Sequence, residues 1–161
     1  MNSKNNEGFA IVHENPMPSP SSLQMEHDCL LVLANELLKQ LPDKLTLSLE
    51  EILAPRDTEE NAKKQPRSQN KFILFRKEYT AYVKKQDPDR AKSMNTDEIS
   101  KGTSKHWETL PPQGKQLFTI LSNIADKRHR MKYPNYVYKP QKKESKQTFS
   151  EETSFEETNH V

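Results

Sequence analysis

Residues 70–76 read NKFILFR, and this stretch decides how the rest of the chain is interpreted. It contains four consecutive apolar residues, far fewer than the roughly 20 that are needed to cross a membrane. The chain's single tryptophan, Trp107, and a tail at residues 133–140 that reads YPNYVYKP supply further aromatic side chains. Aromatic residues interleaved with Lys and Arg are typical of nucleic-acid binding. The stretch and its surroundings therefore point to a domain that contacts a nucleic acid.

The charge of the chain is divided between its middle and its ends. The 161 residues carry a net charge of only +2, and 32% of them are hydrophobic, so the core must be concentrated in one part of the chain. Residues 63–143 contain 20 Lys and Arg against 7 Asp and Glu, whereas the remainder contains 5 against 16. A basic middle with acidic flanks predicts a polyanion partner for the middle, and a merely solvated basic surface is the alternative.

The composition also argues against several classes of protein. A single cysteine, Cys29, leaves no internal disulfide and fits a reducing compartment. The N-terminus lacks a basic and then apolar signal pattern, so we expect neither secretion nor a membrane span. The chain has only 3 Gly and no catalytic pairing of carboxylates or of Cys with His, so we expect neither an enzyme nor a cofactor. No second His or Cys lies at ligand spacing from His129, which argues against a metal site.

Polar composition predicts that both ends of the chain are disordered. Residues 1–27 are rich in Asn, Ser and Pro, and residues 144–161 are rich in Glu, Ser and Thr. Residues 56–66 are charged and rich in polar side chains, which predicts a linker. The ordered part is therefore expected in residues 28–55 and 67–143.

Two short amphipathic helices are predicted in residues 28–55. The first runs from a cap at Asp28 to Leu41, and the second begins at Ser48 in a capping box and ends at Pro55. A helix of about 14 residues is marginal by itself in water, so its leucines need a surface to pack against. The Leu30–Leu41 segment either docks onto the rest of this chain or forms a helix-in-groove contact with a partner protein. The sequence leaves both alternatives open.

Three further helices are predicted in residues 67–143, which makes the architecture all-α. The first runs from Ile73 to about Gln86 and is followed by a break at residues 87–89. The second is capped by Asn95, and the third runs from the two prolines at 111–112 to about Lys132. Extended strands are expected at both ends of this region.

Residues 67–143 resemble an HMG box of the sequence-specific kind found in Sox-type and fungal mating-type transcription factors. The matching positions are residues 70–76, Glu98-Ile99-Ser100-Lys101, Trp107, His129 and Tyr133-Pro134-Asn135-Tyr136. The resemblance implies an L-shaped three-helix fold that lays its concave face in the minor groove of double-stranded DNA. It implies a nuclear transcription regulator of mating-type or sexual-development genes, which binds AACAAT-like sites as a monomer and bends them. A non-specific architectural chromatin protein is one alternative, and a protein-interaction factor that works through Leu30–Leu41 is another.

The resemblance also implies roles for individual residues. Ile73 is the expected wedge, which unstacks a base step and bends the duplex, with an ordinary core position as its alternative role. Asn70 is expected to read base edges as well as cap a helix, and Ser100 to be a second polar reader. The expected DNA contacts are Arg67, Asn70, Phe72, Ile73, Arg76, Lys77, Ser100, Lys101, Tyr138 and Lys139. The expected structural core is Phe75, Trp107, Phe118, His129 and Tyr133.

Two departures from the family pattern bear on stability. About four extra residues lie between the first two helices of the box, around Asp89–Ser93. The pair Thr103-Ser104 replaces an apolar residue and a Gly, which we expect to loosen the angle between helices.

Lys63-Lys64 and Lys142-Lys143 flank the box as nuclear-import signals of the family do, although added affinity for DNA is the alternative. We expect residues 60–145 to fold by themselves.

Overall fold

The structure, a computed structural model, describes residues 16–55 and 65–140. Within these residues it contains no β-strand and six α-helices: α1 (Pro20–Gln40), α2 (Leu49–Leu53), α3 (Lys71–Gln86), α4 (Pro88–Ser93), α5 (Thr96–Thr109) and α6 (Pro112–Lys132). The all-α prediction is confirmed. The predictions for residues 1–15, 56–64 and 141–161, among them both Lys-Lys pairs and the acidic tail, lie outside the described residues. None of the described helices is long and apolar enough to cross a bilayer.

Local capping signals begin the three helices of the basic region. α3 begins after Asn70, whose side-chain oxygen accepts a hydrogen bond from the Ile73 N–H at 3.0 Å, two residues earlier than predicted. α5 begins after Asn95, which forms the predicted capping box with Glu98. α6 begins at Pro112, where the missing N–H of proline removes no helical hydrogen bond. These starts follow from residues that are neighbours in the sequence.

α1 begins eight residues before its predicted start at Asp28. Ser19 caps the helix, because its hydroxyl oxygen accepts a hydrogen bond from the Ser22 N–H at 3.2 Å, and Pro20 occupies the first helical position. The prediction that residues 20–27 are disordered is therefore wrong, since Ser-Pro here is a helix start. The predicted cap, Asp28, lies inside α1. α2 keeps its predicted capping box and ends before Pro55.

One hydrophobic core joins the N-terminal helices to the basic region. α1 lies along α6, and α2 contacts both α3 and α6. The buried apolar side chains are Ala34, Leu49, Ile52 and Leu53 from the N-terminal helices and Leu74, Phe75, Leu117, Phe118, Leu121, Ile124 and Ala125 from the basic region. Of the two alternatives for the Leu30–Leu41 segment, the structure shows docking onto this chain. Leu33 is the leucine of that segment that remains exposed.

The basic region has two arms that meet at an aromatic corner. The short arm consists of α3, α4 and α5, and the long arm is α6 with the extended segment 65–70. At the corner the Trp107 ring lies edge-on to Phe75, with centroids 5.3 Å apart, and to Phe118, at 6.3 Å. Phe75 and Phe118 are themselves buried, so the corner belongs to the core.

The long arm is completed by its terminal segments. His129 contacts the backbone oxygen of Pro66 through its ring Nε2 at 2.6 Å, which attaches the segment 65–70 to α6. The same ring packs on Tyr133 and on Tyr136, with centroids 5.1 Å and 4.6 Å away. His129 and Tyr133 therefore join α6 to the extended segments on either side of it.

Both departures from the family pattern are accommodated. The extra residues Asp89–Ser93 belong to α4, which Asp87 caps by accepting a hydrogen bond from the Arg90 N–H at 2.9 Å. Thr103 is fully buried, and its hydroxyl donates a hydrogen bond to the Ile99 oxygen at 2.6 Å. The polar atom that replaces an apolar side chain is therefore hydrogen-bonded, which avoids most of the cost of burying it.

Candidate nucleic-acid interface

A shared carbonyl group brings the first turns of α3 and α5 together. The backbone oxygen of Thr96 accepts a hydrogen bond from the Arg76 guanidinium at 3.3 Å and another from the Ser100 hydroxyl at 2.9 Å. Ile73 lies three residues before Arg76, so the two side chains occupy one face of α3. The structure thus places Arg76 and Ser100 together between the two helices, with Ile73 one turn before Arg76 on α3. Lys101, the next residue on α5, is exposed.

The apolar residues of the 70–76 stretch divide between core and surface. Leu74 and Phe75 are buried, with 0% and 2% of their surface exposed, whereas Phe72 and Ile73 are only partly buried. Ile73 borders an open cavity of about 450 Å³ that is also lined by Arg67 and by residues of α2 and α6. Ile73 is therefore outside the fully buried core.

Asn70 lies next to Ile73 at the start of α3 and is exposed. Its side-chain oxygen is engaged in the cap of the helix. The cap does not use the amide N–H groups of the same side chain, because it requires only an acceptor. The residue therefore combines a structural role with donors on the surface.

An Arg–Tyr contact links the two extended segments of the long arm. The Arg67 guanidinium lies 3.8 Å from the centroid of the Tyr138 ring and donates a hydrogen bond to the Tyr138 hydroxyl. Such a cation–π contact holds the charged group in place while leaving one side of it exposed. The adjacent Lys139 is exposed. The name basic strip is used below for the set Arg67, Asn70, Ile73, Arg76, Ser100 and Tyr138.

Lys77 lies elsewhere. Its ammonium group donates hydrogen bonds to the backbone oxygens of Ile52, at 2.9 Å, and of Ala54. These are carbonyl groups at the C-terminal end of α2, which a lysine side chain stabilises. The Lys77 side chain is thus turned towards the end of α2. The sequence does not reveal this contact, because Lys77 is distant in the chain from both of its acceptors.

Sequence reasoning also missed a set of contacts by which charged side chains hold the N-terminal helices to the basic region. Glu78 is 6% exposed, and its carboxylate accepts hydrogen bonds from the backbone N–H groups of Thr46 at 2.6 Å and Leu47 at 2.9 Å. Arg128 donates two hydrogen bonds to the Glu50 carboxylate, at 2.9 Å and 2.8 Å. The sequence signal that could have indicated such a partner is Arg128 itself, a charged residue within the apolar stripe of α6.

Two further contacts extend this set along α6. Lys127 forms an ion pair with Glu26 of α1. The Nε–H of Arg128 donates to the Nε2 atom of buried His27 at 3.0 Å. The cations lower the pKa of both carboxyls, that of Glu50 chiefly through its hydrogen bonds with Arg128 and that of Glu26 chiefly through its hydrogen bond with Lys127. In residues 16–55 and 65–140 no group of three or more His, Cys, Asp or Glu side chains is arranged to hold a metal ion.

Comparison with known proteins assigns the basic region to a family. Residues 65–137 match the family model of the HMG (high mobility group) box. The mating-type M-specific polypeptide Mc of Schizosaccharomyces pombe is 30% identical over 86 residues, which cover 53% of this chain and 45% of the relative. Repressor of filamentous growth 1 of Candida albicans is 36% identical over 80 residues, which cover 49% of this chain and 13% of the relative.

A third relative comes from an animal. The putative transcription factor SOX-14 of Drosophila melanogaster is 31% identical over 80 residues, 50% of this chain and 11% of the relative. The chain therefore spans less than half the length of these three relatives, and no solved structure matches it. The HMG box is a DNA-binding and non-enzymatic domain, and its three helices correspond to α3, α5 and α6. Residues 65–137, a little under half of the chain, therefore match the HMG box, and the resemblance to this family is confirmed.

Proposed function

We propose that this protein is a nuclear transcription regulator that binds the minor groove of AT-containing, AACAAT-like sites as a monomer and bends the duplex. The partly exposed Ile73, beside Asn70 on the basic strip, is the observation that carries the proposal. An apolar side chain held at the edge of the core, with polar and cationic groups around it, suits insertion between base pairs. A fully buried Ile73 would have no such use.

The basic strip divides the work of binding between apolar, polar and cationic groups. Ile73 enters a base step, and unstacking that step costs a few kcal/mol. Contacts of Arg67, Arg76 and Lys101 with phosphates offset this cost but carry no sequence information. The Asn70 amide and the Ser100 hydroxyl read base edges, which in the minor groove mainly separate A·T from G·C pairs.

The remaining predicted contacts take supporting roles. Phe72, which is partly buried beside Ile73, backs the wedge, and Lys139 follows the phosphates next to Tyr138. Lys77 keeps its contacts with the end of α2 in this proposal and positions α3 rather than binding a phosphate. The charge of the region supports the proposal, because Lys and Arg outnumber Asp and Glu by 16 to 7 in residues 65–140.

The biological role proposed here is in mating or sexual development. It is supported by the names of the relatives, which include mating-type polypeptides of fission yeasts and the mating-type protein MAT-2 of Cochliobolus heterostrophus. Another relative is named a repressor of filamentous growth, so the proposal does not specify activation or repression.

A non-specific architectural protein is the second candidate, and the partly exposed Ile73 within a region rich in Lys and Arg favours it. An apolar wedge and a cationic surface suffice to bind and bend DNA of any sequence. The discriminating groups are therefore Asn70 and Ser100, which the first proposal needs and the second does not.

Binding titrations of the full chain separate the two candidates. A duplex containing AACAAT and a random duplex of equal length are each titrated at two salt concentrations. The first proposal predicts tighter binding to the AACAAT duplex, with log affinity falling by about 0.9 per phosphate neutralised for each unit of log salt. Equal affinity for both duplexes would favour the architectural protein. A response that does not depend on salt would contradict both.

A further inference from the structure

We propose that residues 20–54 act as a brace that fixes the angle between the two arms of the HMG box, and thereby sets the bend that the box imposes on DNA. The fixed angle between the arms is a property of the free protein and does not depend on the proposed function. The effect on the DNA bend rests on the proposed function. This segment is called the N-terminal brace below, and it lies outside the region that matches the family model.

The apolar contacts of α2 reach both arms. Ile52 and Leu53 are 0% and 3% exposed and belong to the core that also contains Leu74 of the short arm and Leu121 of the long arm. α2 is only five residues long, and it contacts α3 and α6 at the same time. A helix of this length has little stability of its own, so these contacts must be what orders it.

Polar contacts fasten the brace to the short arm. The buried carboxylate of Glu78 on α3 accepts hydrogen bonds from two successive backbone N–H groups of the segment that precedes α2. The preceding residue, Lys77, donates to the carbonyl groups at the end of α2. The two side chains of α3 thus hold the brace before and after α2. Hydrogen bonds to charged groups are stronger than neutral ones, most of all where water is excluded.

Matching contacts fasten the brace to the long arm. Arg128 of α6 forms its two hydrogen bonds with Glu50 of α2, and Lys127 pairs with Glu26 of α1. The charges are complementary overall, because residues 16–55 contain 6 Asp and Glu against 2 Lys and Arg and face a box with an excess of cations. The long arm is therefore held by ion pairs and the short arm by hydrogen bonds to the backbone.

This connection matters because the arms otherwise join only through the corner and the packing of α3 on α6. α5 and α6 are separated only by Leu110 and Pro111, and the rings of Trp107 and Phe118 meet there. Two arms joined in this way are most easily deformed by the opening and closing of the angle between them. A segment bonded to both arms opposes that motion. Since the duplex follows the concave shape of the protein that bends it, a fixed angle gives a defined bend.

The angle is tested first in the free protein, without DNA. Spin labels on Asp89→Cys at the tip of the short arm and Arg130→Cys near the tip of the long arm report the distance between the arms, with Cys29→Ser to remove the native thiol. Both labelled positions are exposed. The variant Glu50→Gln with Glu78→Gln removes one fastening to each arm. The control, Glu36→Gln with Asp43→Asn, removes the same charge from exposed positions outside the interface with the box.

We expect the distance distribution to broaden in the Glu50/Glu78 variant and to stay unchanged in the control. Helical content measured by circular dichroism checks that both variants are folded. If the double variant loses its helices, Glu50→Gln alone is used, because its side chain is exposed and its loss leaves no buried unpaired group. An unchanged distribution in a folded variant that lacks these contacts would overturn the brace.

The second test measures the bend by energy transfer between the two ends of an AACAAT duplex at saturating protein. We expect the Glu50/Glu78 variant to give a broader and shifted transfer efficiency, while its affinity stays within about twofold of the control, since neither residue lies on the basic strip. A broadened distribution of distances between the arms together with an unchanged DNA bend would overturn the proposed effect on bending. The same result would still support the role of the brace in the free protein. Failure of the wild-type protein to bend DNA would instead contradict the proposed function, and the label distances would still decide on the brace.

Discussion

Arg128 of α6 and Glu50 of α2 form a bidentate ion pair, with Nη1–Oε2 and Nη2–Oε1 distances of 2.9 Å and 2.8 Å. Arg128 lies in the stripe of α6 that is otherwise apolar and faces the N-terminal helices. Its partner comes from a helix 78 residues earlier in the chain. The parallel hydrogen bonds match the planar guanidinium to the carboxylate, which gives the contact a defined geometry as well as charge neutralisation.

We expect the docking of the N-terminal brace to weaken in acid. Hydrogen bonds with Arg128 and Lys127 lower the pKa values of Glu50 and Glu26 in the folded protein below the ordinary value of a glutamate. A carboxyl with a lowered pKa contributes stability that is present above its ordinary pKa and is lost as pH falls through the lowered value. The melting temperature of the wild type, measured from about pH 6 to about pH 3, should therefore fall towards that of Glu50→Gln. Glu36→Gln is the matched control, and a constant gap between wild type and Glu50→Gln at all pH values would contradict the role of the pair.

Ile52→Ala should destabilise the HMG box as well as the brace. Ile52 is fully buried in the shared core, and truncating such a side chain to Ala typically costs about 2–5 kcal/mol. Because the core is continuous, we expect one unfolding transition at a lower temperature, followed by circular dichroism and by Trp107 fluorescence. Val32→Ala, at a position that is 63% exposed, is the control. Loss of α1 and α2 in a separate early transition would show that the box folds by itself, as the sequence alone suggested.

Trp107→Ala should unfold the corner between the arms rather than only weaken DNA binding. The indole packs on Phe75 and Phe118, and its removal should cost about 3 kcal/mol, the lower end of the usual range, because it is only partly buried. Chemical denaturation measures the loss. Val137→Ala removes an apolar side chain that is 71% exposed and should leave stability unchanged. A Trp107→Ala variant with wild-type stability would show that the corner does not depend on this ring.

Ile73→Ala should separate bending from folding. Leu74 and Phe75 carry the buried part of the 70–76 stretch, so the variant should keep a near-native melt. It should lose bend angle more than it loses phosphate contacts, because the wedge acts by stabilising an unstacked step. Energy transfer between the ends of the duplex, run beside binding titrations, measures both. A variant that bends DNA normally while its melting temperature collapses would make Ile73 a core residue.

Asn70→Ser should reduce sequence preference and leave the fold intact. Serine is as good a helix cap as asparagine, so the start of α3 is preserved while the amide group is lost. We expect the preference for the AACAAT duplex over the random duplex to fall by about 1–3 kcal/mol, with bending retained. Asn70→Ala serves as the comparison, since it also removes the cap. An unchanged ratio of affinities would assign the asparagine to capping alone.

Much of the box follows from local sequence. The starts of α2, α5 and α6 were predictable because caps, capping boxes and first-turn prolines act within three or four residues. The same physics explains the error at α1, where a Ser-Pro start was taken for part of a disordered segment. The candidate strip is predicted only through resemblance to a family, because neither charge nor spacing by itself distinguishes a wedge from a core isoleucine.

The sequence by itself determined the all-α class, the position of the box and the helix starts that neighbouring residues control. Only the tertiary structure decided what the leucines of α1 pack against, and that Lys77, Glu78 and Arg128 serve the N-terminal helices. The reason is one of range. Capping and periodicity act over a few residues, whereas a buried carboxylate or a paired arginine gains its partner only when segments 31 to 78 residues apart are brought together by a shared apolar core.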